Sequence, residues 1–253
     1  MGAAHTVGVN PELAAAFAKR PVARLDTAWS TAAQTLRRAR QLELSGWAFY
    51  VAGRAGVLGD DARPETVSAA LGVIAPDAVL AGWEAAGKVG PTEVAAKRLA
   101  ECARWGDEQL AGLPDLEHLV ELAERVVATA DPVGLPLFAA GRAAPMPDGD
   151  AGARAAVLAH LLRELRAGAL LVASRACGLA PLELLIAGPE GEEEALTYGW
   201  QPPFPARLPL LRRYAYADAL ADRISGQAYS CLTPAERGQL VAALEAAAAL
   251  VAP

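Results

Sequence analysis

Apolar positions along the chain recur at helical intervals, and helix-start signals stand in front of most of the runs. Asn10-Pro11-Glu12 places a capping side chain before a proline at the first helical position, which predicts a short helix through Lys19. A longer apolar-periodic stretch runs from about Asp26 to Leu58, and Pro64, Pro76, Pro91 and Pro114 each precede a helix-like run. Over 91–112, Val94, Leu99, Cys102 and Leu110 fall at roughly helical spacing. The segment 115–129 is again amphipathic; a Pro/Gly-rich connection is expected over 132–150 and a long helix over 151–176. Thr233-Pro234-Ala235-Glu236 reads as a capping box in which the Thr233 side chain bonds the Glu236 amide. A short strand near Gln227–Leu232 is the one β element in view. The expected fold class is all-α with minimal β.

With 253 residues there is room for one large domain or two small ones. A hydrophobic share of 53% against 21% charged residues excludes general disorder. The opening MGAAHTVGVNPELAAAF lacks the charged region and apolar core of a signal peptide, and Met1-Gly2 with Thr6 matches a myristoylation pattern only superficially. Long stretches free of charges and helix breakers are missing, apart from the amphipathic alanine-rich C-terminus, so no membrane span is expected. Cys102, Cys177 and Cys231 stand far apart and there are 3 histidines, which gives no metal site and no disulfide framework and fits a reducing cytoplasm. The net charge of −6 counts against a nucleic-acid partner, because neutralising phosphates supplies most non-specific affinity.

A duplication is one reading of the chain. Val51-Ala52-Gly53-Arg54-Ala55 is echoed by Val172-Ala173-Ser174-Arg175-Ala176, and each is followed by short-helix patterning and a Gly-Trp pair, Gly82-Trp83 and Gly199-Trp200. In so alanine-rich a chain such echoes also arise by chance, and Ala139–Ala143 supplies a third. If the duplication is real, residues 1–148 form an N-terminal helical module and 149–253 a C-terminal one.

Candidate chemistry is sparse. The chain has no Walker loop, GxGxxG, GxSxG or HExxH, so no cofactor is expected. His118 and His160 are lone histidines on amphipathic helices, read as solvent-facing or hydrogen-bonded, and His5 lies in the N-terminal tail. The best constellation is Trp47, Tyr50 and Arg54, which share a helix face at spacings of three and four. An arginine beside an aromatic wall can clamp a carboxylate, sulfate or phosphate, or stack on a flat ligand; the alternative is core aromatics with Arg54 tying two helices together. Arg142 is a second buried-looking arginine after a Pro-rich turn. Arg207, Arg212 and Arg213 with Tyr214 and Tyr216 form a basic-aromatic cluster, but Glu190, Glu192, Glu193 and Glu194 precede it, and the cluster reads as a solvated or inter-subunit surface. Candidate acids or bases are Glu164, one turn from His160, and Tyr50.

Several segments resemble the SalK-like family of actinobacterial proteins, described as helix-turn-helix proteins and distantly similar to MarR-type winged helices. They are GWAFYVAGRAGVLG (46–59), APDAVLAGW (75–83), VGLPLFAAGRAAPMPD (133–148), LLRELRAG (161–168), TYGW (197–200) and LTPAERGQL (232–240). The resemblance implies two winged-helix-like halves, with the aromatic–arginine helix lining an internal cavity. Where the family carries Arg-Gly-Asp-Gly-His this chain reads Arg166-Ala167-Gly168-Ala169-Leu170, so functions resting on that carboxylate and imidazole do not carry over. The C-terminal half is preceded by the glutamate run and interrupted by Pro202, Pro203 and Pro205, which a groove-reading helix tolerates poorly.

Three functions follow as expectations. The first is a small-molecule enzyme or ligand-binding subunit of specialised metabolism with Trp47, Tyr50, Arg54 and Arg142 on the ligand; its chemistry would be a ring closure or elimination with an anionic leaving group, which arginines would stabilise. The second is a ligand-responsive DNA-binding regulator. The third is a structural helical interaction protein. Leu232, Leu240, Leu244 and Leu250 are spaced for packing on another helix, which raises a homodimer or a heteromeric partner.

Overall fold

The computed structural model describes residues 8–251. His5 and the Met1-Gly2-Thr6 pattern lie outside the described residues. In chain order the helices are α1 (Pro11–Ser30), α2 (Ala33–Gln41), α3 (Gly46–Ala55), α4 (Pro64–Leu71), α5 (Pro76–Ala85), α6 (Pro91–Leu110) and α7 (Leu116–Thr129). They continue as α8 (Pro136–Ala143), α9 (Ala151–Ala176), α10 (Pro181–Ala187), α11 (Glu192–Thr197), α12 (Leu211–Gly226) and α13 (Pro234–Leu250). The fold is all-α, with no strand among the described residues. The segment expected as a strand, Gln227–Cys231, is a tight 3-10 turn.

Proline punctuates this chain because its fixed φ suits the first helical turn, where its missing N–H is no loss. α1, α4, α5, α6, α8, α10 and α13 all begin on one. Asn10 accepts the Leu13 amide at 2.8 Å, as a cap should. The helix it opens does not stop at Lys19. It runs through Pro21 to Ser30, because Pro21 lies on the same buried face as Val22, Leu25 and Trp29, whose burial offsets one lost backbone bond. The expected long run over 26–58 instead breaks twice. Thr31 turns its hydroxyl back onto the Thr27 carbonyl at 2.7 Å, and Ser45 caps α3 by accepting the Ala48 amide at 3.0 Å. The connection over 132–150 contains α8, a helix hidden in sequence between prolines and glycines.

The long helix α9 is central and packs on α1, α6, α7, α8 and α12. It meets α6 backbone to backbone: a Cβ on Gly106 would lie 2.2 Å from the Gly152 carbonyl oxygen. No single helix among the described residues is long and apolar enough to cross a membrane; α9 and α10 pass together only as a pair bent by 107°. In α13 the capping box forms as expected, Thr233 and Glu236 bonding each other's backbone amides. Leu232, Leu240 and Leu244 are buried in the core that α13 shares with α1 and α7, and Leu250 is exposed. Three of the four leucines of the stripe are therefore used inside the chain.

Two further apolar cores flank this one. The first gathers α2 to α5; the second gathers the end of α9 with α10, α11 and α12. They meet where the α4–α5 turn docks on the end of α11. Ala75 N–H donates to the Tyr198 carbonyl at 2.9 Å, and Trp200 Nε1 donates to the Val73 carbonyl at 2.7 Å. A Cβ on Gly199 would lie 2.6 Å from that of Ala78, so the approach requires the glycine.

Candidate functional site

Four helices each place a charged residue on an otherwise apolar face, and these faces converge. On α1, Asp26 and Trp29 stand three residues apart; on α6, Arg98 lies between Val94 and Cys102; on α9, His160, Arg163 and Glu164 share one turn. The fourth is α3, with Trp47, Tyr50 and Arg54.

Arg54 forks onto Glu164, Nε to Oε1 at 2.8 Å and Nη2 to Oε2 at 2.9 Å, the bidentate geometry that suits a guanidinium. Arg163 adds a third bond to Glu164 Oε1 at 2.8 Å. The hydroxyl of Tyr50 accepts from both arginines, from Arg54 Nη1 at 3.1 Å and from Arg163 Nη2 at 3.3 Å. Asp26 accepts from Trp29 Nε1 at 3.2 Å, bonds His160 Nδ1 at 2.7 Å and lies 3.5 Å from Arg163 Nε. Arg98 Cζ lies over the Trp29 ring at 4.2 Å from its centroid and is 5.4 Å from that of Tyr50. Its Nη2 is buried without a hydrogen-bond partner among the described residues. Gly53 makes room for it, since a Cβ there would lie 2.0 Å from Arg98 Cδ. Trp47 stacks on Tyr50 with centroids 5.8 Å apart, and donates Nε1 to the Ala78 carbonyl at 2.9 Å.

Burial opposes every charge in this cluster, so the pairing decides each state. Burial alone would raise Asp26, but Arg163, His160 and Arg98 outweigh it and hold the carboxyl well below its ordinary value. Glu164 is likewise held low by Arg54 and Arg163 against burial. As Asp26 is an acceptor only, the His160 proton resides on Nδ1. Burial pulls Arg98 down, and Asp26 only partly offsets it. Tyr50 is lowered, the charges of Arg54 and Arg163 overcoming burial, and Tyr198 is raised by the charge at Tyr50 and by burial.

A cavity of about 240 Å³ opens beside the cluster. A cavity of about 150 Å³ already accommodates benzene, so this one has room for a small organic molecule. Its walls are apolar, built from residues such as Leu71, Val73, Leu135, Phe138, Leu170 and Leu184. Its polar lining is Arg54, Arg163, Glu164, Glu194, Tyr198 and Tyr214. Burial, with the charge of Glu190, raises Glu194 toward its neutral form.

Trp47, Tyr50, Arg54 and Glu164 are thus brought together, with Arg54 and Glu164 on the cavity wall and Tyr50 and Trp47 behind it. The geometry makes Glu164 the fixed counter-ion of two arginines, so it has no proton to give near neutrality. Arg142 lies elsewhere: its Nη1 caps the end of α7, donating to the Val127 and Ala130 carbonyls at 3.2 and 2.6 Å. It approaches the cavity only through the Phe138 ring, 5.2 Å from its Cζ. Arg207 and Arg213 are likewise tied down, each donating to a backbone carbonyl at 2.8 Å, Gly188 and Gly178 respectively. Sequence reasoning missed Asp26, Arg98, Arg163, Tyr198 and Glu194. The first three carry a readable signal, a charge at a position where the helical stripe calls for an apolar residue.

The α4–α5 and α10–α11 pairs each join two short helices by four residues, 72–75 and 188–191. The sequence pattern of a helix-turn-helix family matches residues 15–207, which takes in both pairs. The chain belongs to this helix-turn-helix family. Comparison with curated proteins and with solved structures returns no match. In this member of the family the second helix of each pair shows an acidic face: Asp77, Leu80 and Glu84 are exposed on α5, and Glu192, Glu193 and Leu196 on α11.

Proposed function

We propose that this chain binds a small organic molecule with an apolar body and a single anionic or strongly hydrogen-bonding head. The observation that carries the reading is the cavity itself, whose largely apolar lining includes Arg163, the Arg54–Glu164 pair and Tyr198. Each terminal guanidinium nitrogen of Arg163 carries two N–H groups, so its bonds to Glu164 and Tyr50 leave donors for a ligand oxygen. Ala167, Gly168 and Leu170, in the stretch that departs from the SalK-like pattern, line the cavity and favour an apolar body. A SalK-like role in actinobacterial specialised metabolism, in the cytoplasm and on a two-lobed winged-helix-derived scaffold divided near 148, belongs to the same proposal. If turnover follows binding, Arg163 and Arg54 suit a ring closure or elimination that develops negative charge.

The test is a thermal-shift and calorimetric panel of aromatic and medium-chain carboxylic acids, with the corresponding alcohols and amines as controls. Leu170→Trp, which fills the cavity and leaves the ionic cluster intact, is the control variant. Acids are expected to raise Tm in the parent chain and not in Leu170→Trp. A panel in which no compound binds, or in which Leu170→Trp responds equally, overturns the reading.

Membership of the helix-turn-helix family favours a second reading, a ligand-responsive DNA-binding regulator. The acidic exposed faces of α5 and α11 weigh against it, since carboxylates repel phosphates. An anisotropy titration with duplex DNA at low salt separates the two. Binding with a steep salt dependence restores the regulator, and absence of binding leaves the cavity as the functional centre.

A further inference from the structure

The cluster contains more positive than negative charge. Arg54, Arg98 and Arg163 face Asp26 and Glu164, which leaves one guanidinium uncompensated in a place where an unpaired charge is costly. Glu194, the next carboxyl, is biased toward neutrality by burial and Glu190. At the centre of the surplus is one phenol. The Tyr50 oxygen accepts from Arg54 and Arg163, while Arg98 and Arg54 also lie within 5.4 Å of its ring centroid. With both neighbouring guanidiniums able only to donate, the oxygen is surrounded as an anion would be.

We infer that Tyr50 is carried as a phenolate, the anion that balances the third guanidinium of the cluster. The charged and titratable groups around it are Arg54 on α3, Arg98 on α6, Asp26 on α1, His160, Arg163 and Glu164 on α9, and Tyr198 and Glu194 at α11. Burial and Asp26 act against the phenolate; Asp26 is bonded to His160 and paired with Arg163, and Glu164 is engaged by Arg54 and Arg163. The directions already given for the two phenols agree: Tyr50 loses its proton more readily than a free tyrosine, and Tyr198 holds on to its own.

The phenolate stands on the geometry of the ionic cluster and does not depend on the cavity being a ligand site.

The phenolate is tested on the free chain by titrating the tyrosinate absorbance. The chain has 5 tyrosines. Tyr198, Tyr214 and Tyr229 are each raised by their surroundings, so an early step from Tyr50 stands apart. The expected result is a step with the amplitude of one tyrosine, well before the rest and lost in Tyr50→Phe. Carbon-labelled tyrosine NMR on the unmutated chain gives the same reading without a variant, as one Cζ resonance at the phenolate position near neutral pH. A single late titration of all tyrosines, or an early step that survives in Tyr50→Phe, overturns the phenolate. If the early step is present and the carboxylic-acid panel is blank, the ligand reading fails and the phenolate stands.

Discussion

Replacing Glu164 by glutamine is the most direct probe of the ionic cluster. The substitution keeps the shape of the side chain and removes one charge, leaving Arg54 and Arg163 buried against Asp26 and the Tyr50 oxygen. Both members of the Arg54–Glu164 pair have side chains only 5% exposed, so water cannot stand in for the missing carboxylate. Removing one partner of such a pair costs about 3–5 kcal/mol, most of it the penalty on the charge left behind. The exposed pair of Lys97 with Glu93, 3.1 Å apart and about half accessible on both sides, is a control of similar geometry. Breaking it costs about 0.3–0.5 kcal/mol. For a chain of this length the Glu164→Gln loss corresponds to a fall in Tm of roughly 10 °C, against about 1 °C for Glu93→Gln. Differential scanning calorimetry at neutral pH reads both. The double variant Arg54→Met with Glu164→Leu is expected to recover most of the loss, because an apolar pair of similar volume removes both desolvation penalties. A Glu164→Gln chain within about 1 kcal/mol of the parent would show that the cluster is solvated, and would refute the argument from buried charge.

Stability is expected to depend on acid. Asp26 and Glu164 have folded values depressed below their ordinary 3.8 and 4.5, so their contribution is complete above those values and is lost as pH falls through and below them. Thermal melts from pH 6 down to pH 3 should therefore show a falling Tm, with a shallower slope in Glu164→Gln; equal slopes would place the acid sensitivity elsewhere. Gly53→Ala puts a methyl 2.0 Å from Arg98 Cδ and should cost about 1–3 kcal/mol by urea denaturation. Gly112→Ala, with no heavy atom within 4 Å of the new Cβ, should be close to neutral. Thr233→Ala removes the N-cap of α13 and should cost about 1 kcal/mol, with faster amide exchange confined to the first turn of that helix.

Local signals were legible wherever one residue type dictates one geometry. The prolines placed the starts of α1, α4, α5 and α6, Thr233 and Glu236 placed the last cap, and the run 151–176 was bounded as it folds. What periodicity could not supply was the competition between local and tertiary terms. Pro21 signals a stop, but the buried face of α1 carries on through it. The even apolar rhythm of 26–58 hides two breaks, because Thr31 and Ser45 act through side-chain bonds to the backbone that leave no trace in hydrophobicity. The helix α8 was obscured by flanking prolines and glycines that belong to its ends.

The site was half legible for the same reason. Spacing alone put Trp47, Tyr50 and Arg54 on one face, but their partners come from α1, α6 and α9, and no spacing rule joins residues 26, 98 and 163. Each of those partners interrupts an apolar stripe, and that interruption carries the argument for function. A chain that is 53% hydrophobic has ample material for a core, and a buried ion cluster contributes no more stability than well-packed apolar residues of equal volume. Stability therefore gives no reason for three arginines, two carboxylates and a phenol to meet beside a cavity whose wall Arg54, Arg163 and Glu164 share. Their arrangement is what an anion-forming ligand requires, fixed donors already oriented before it arrives.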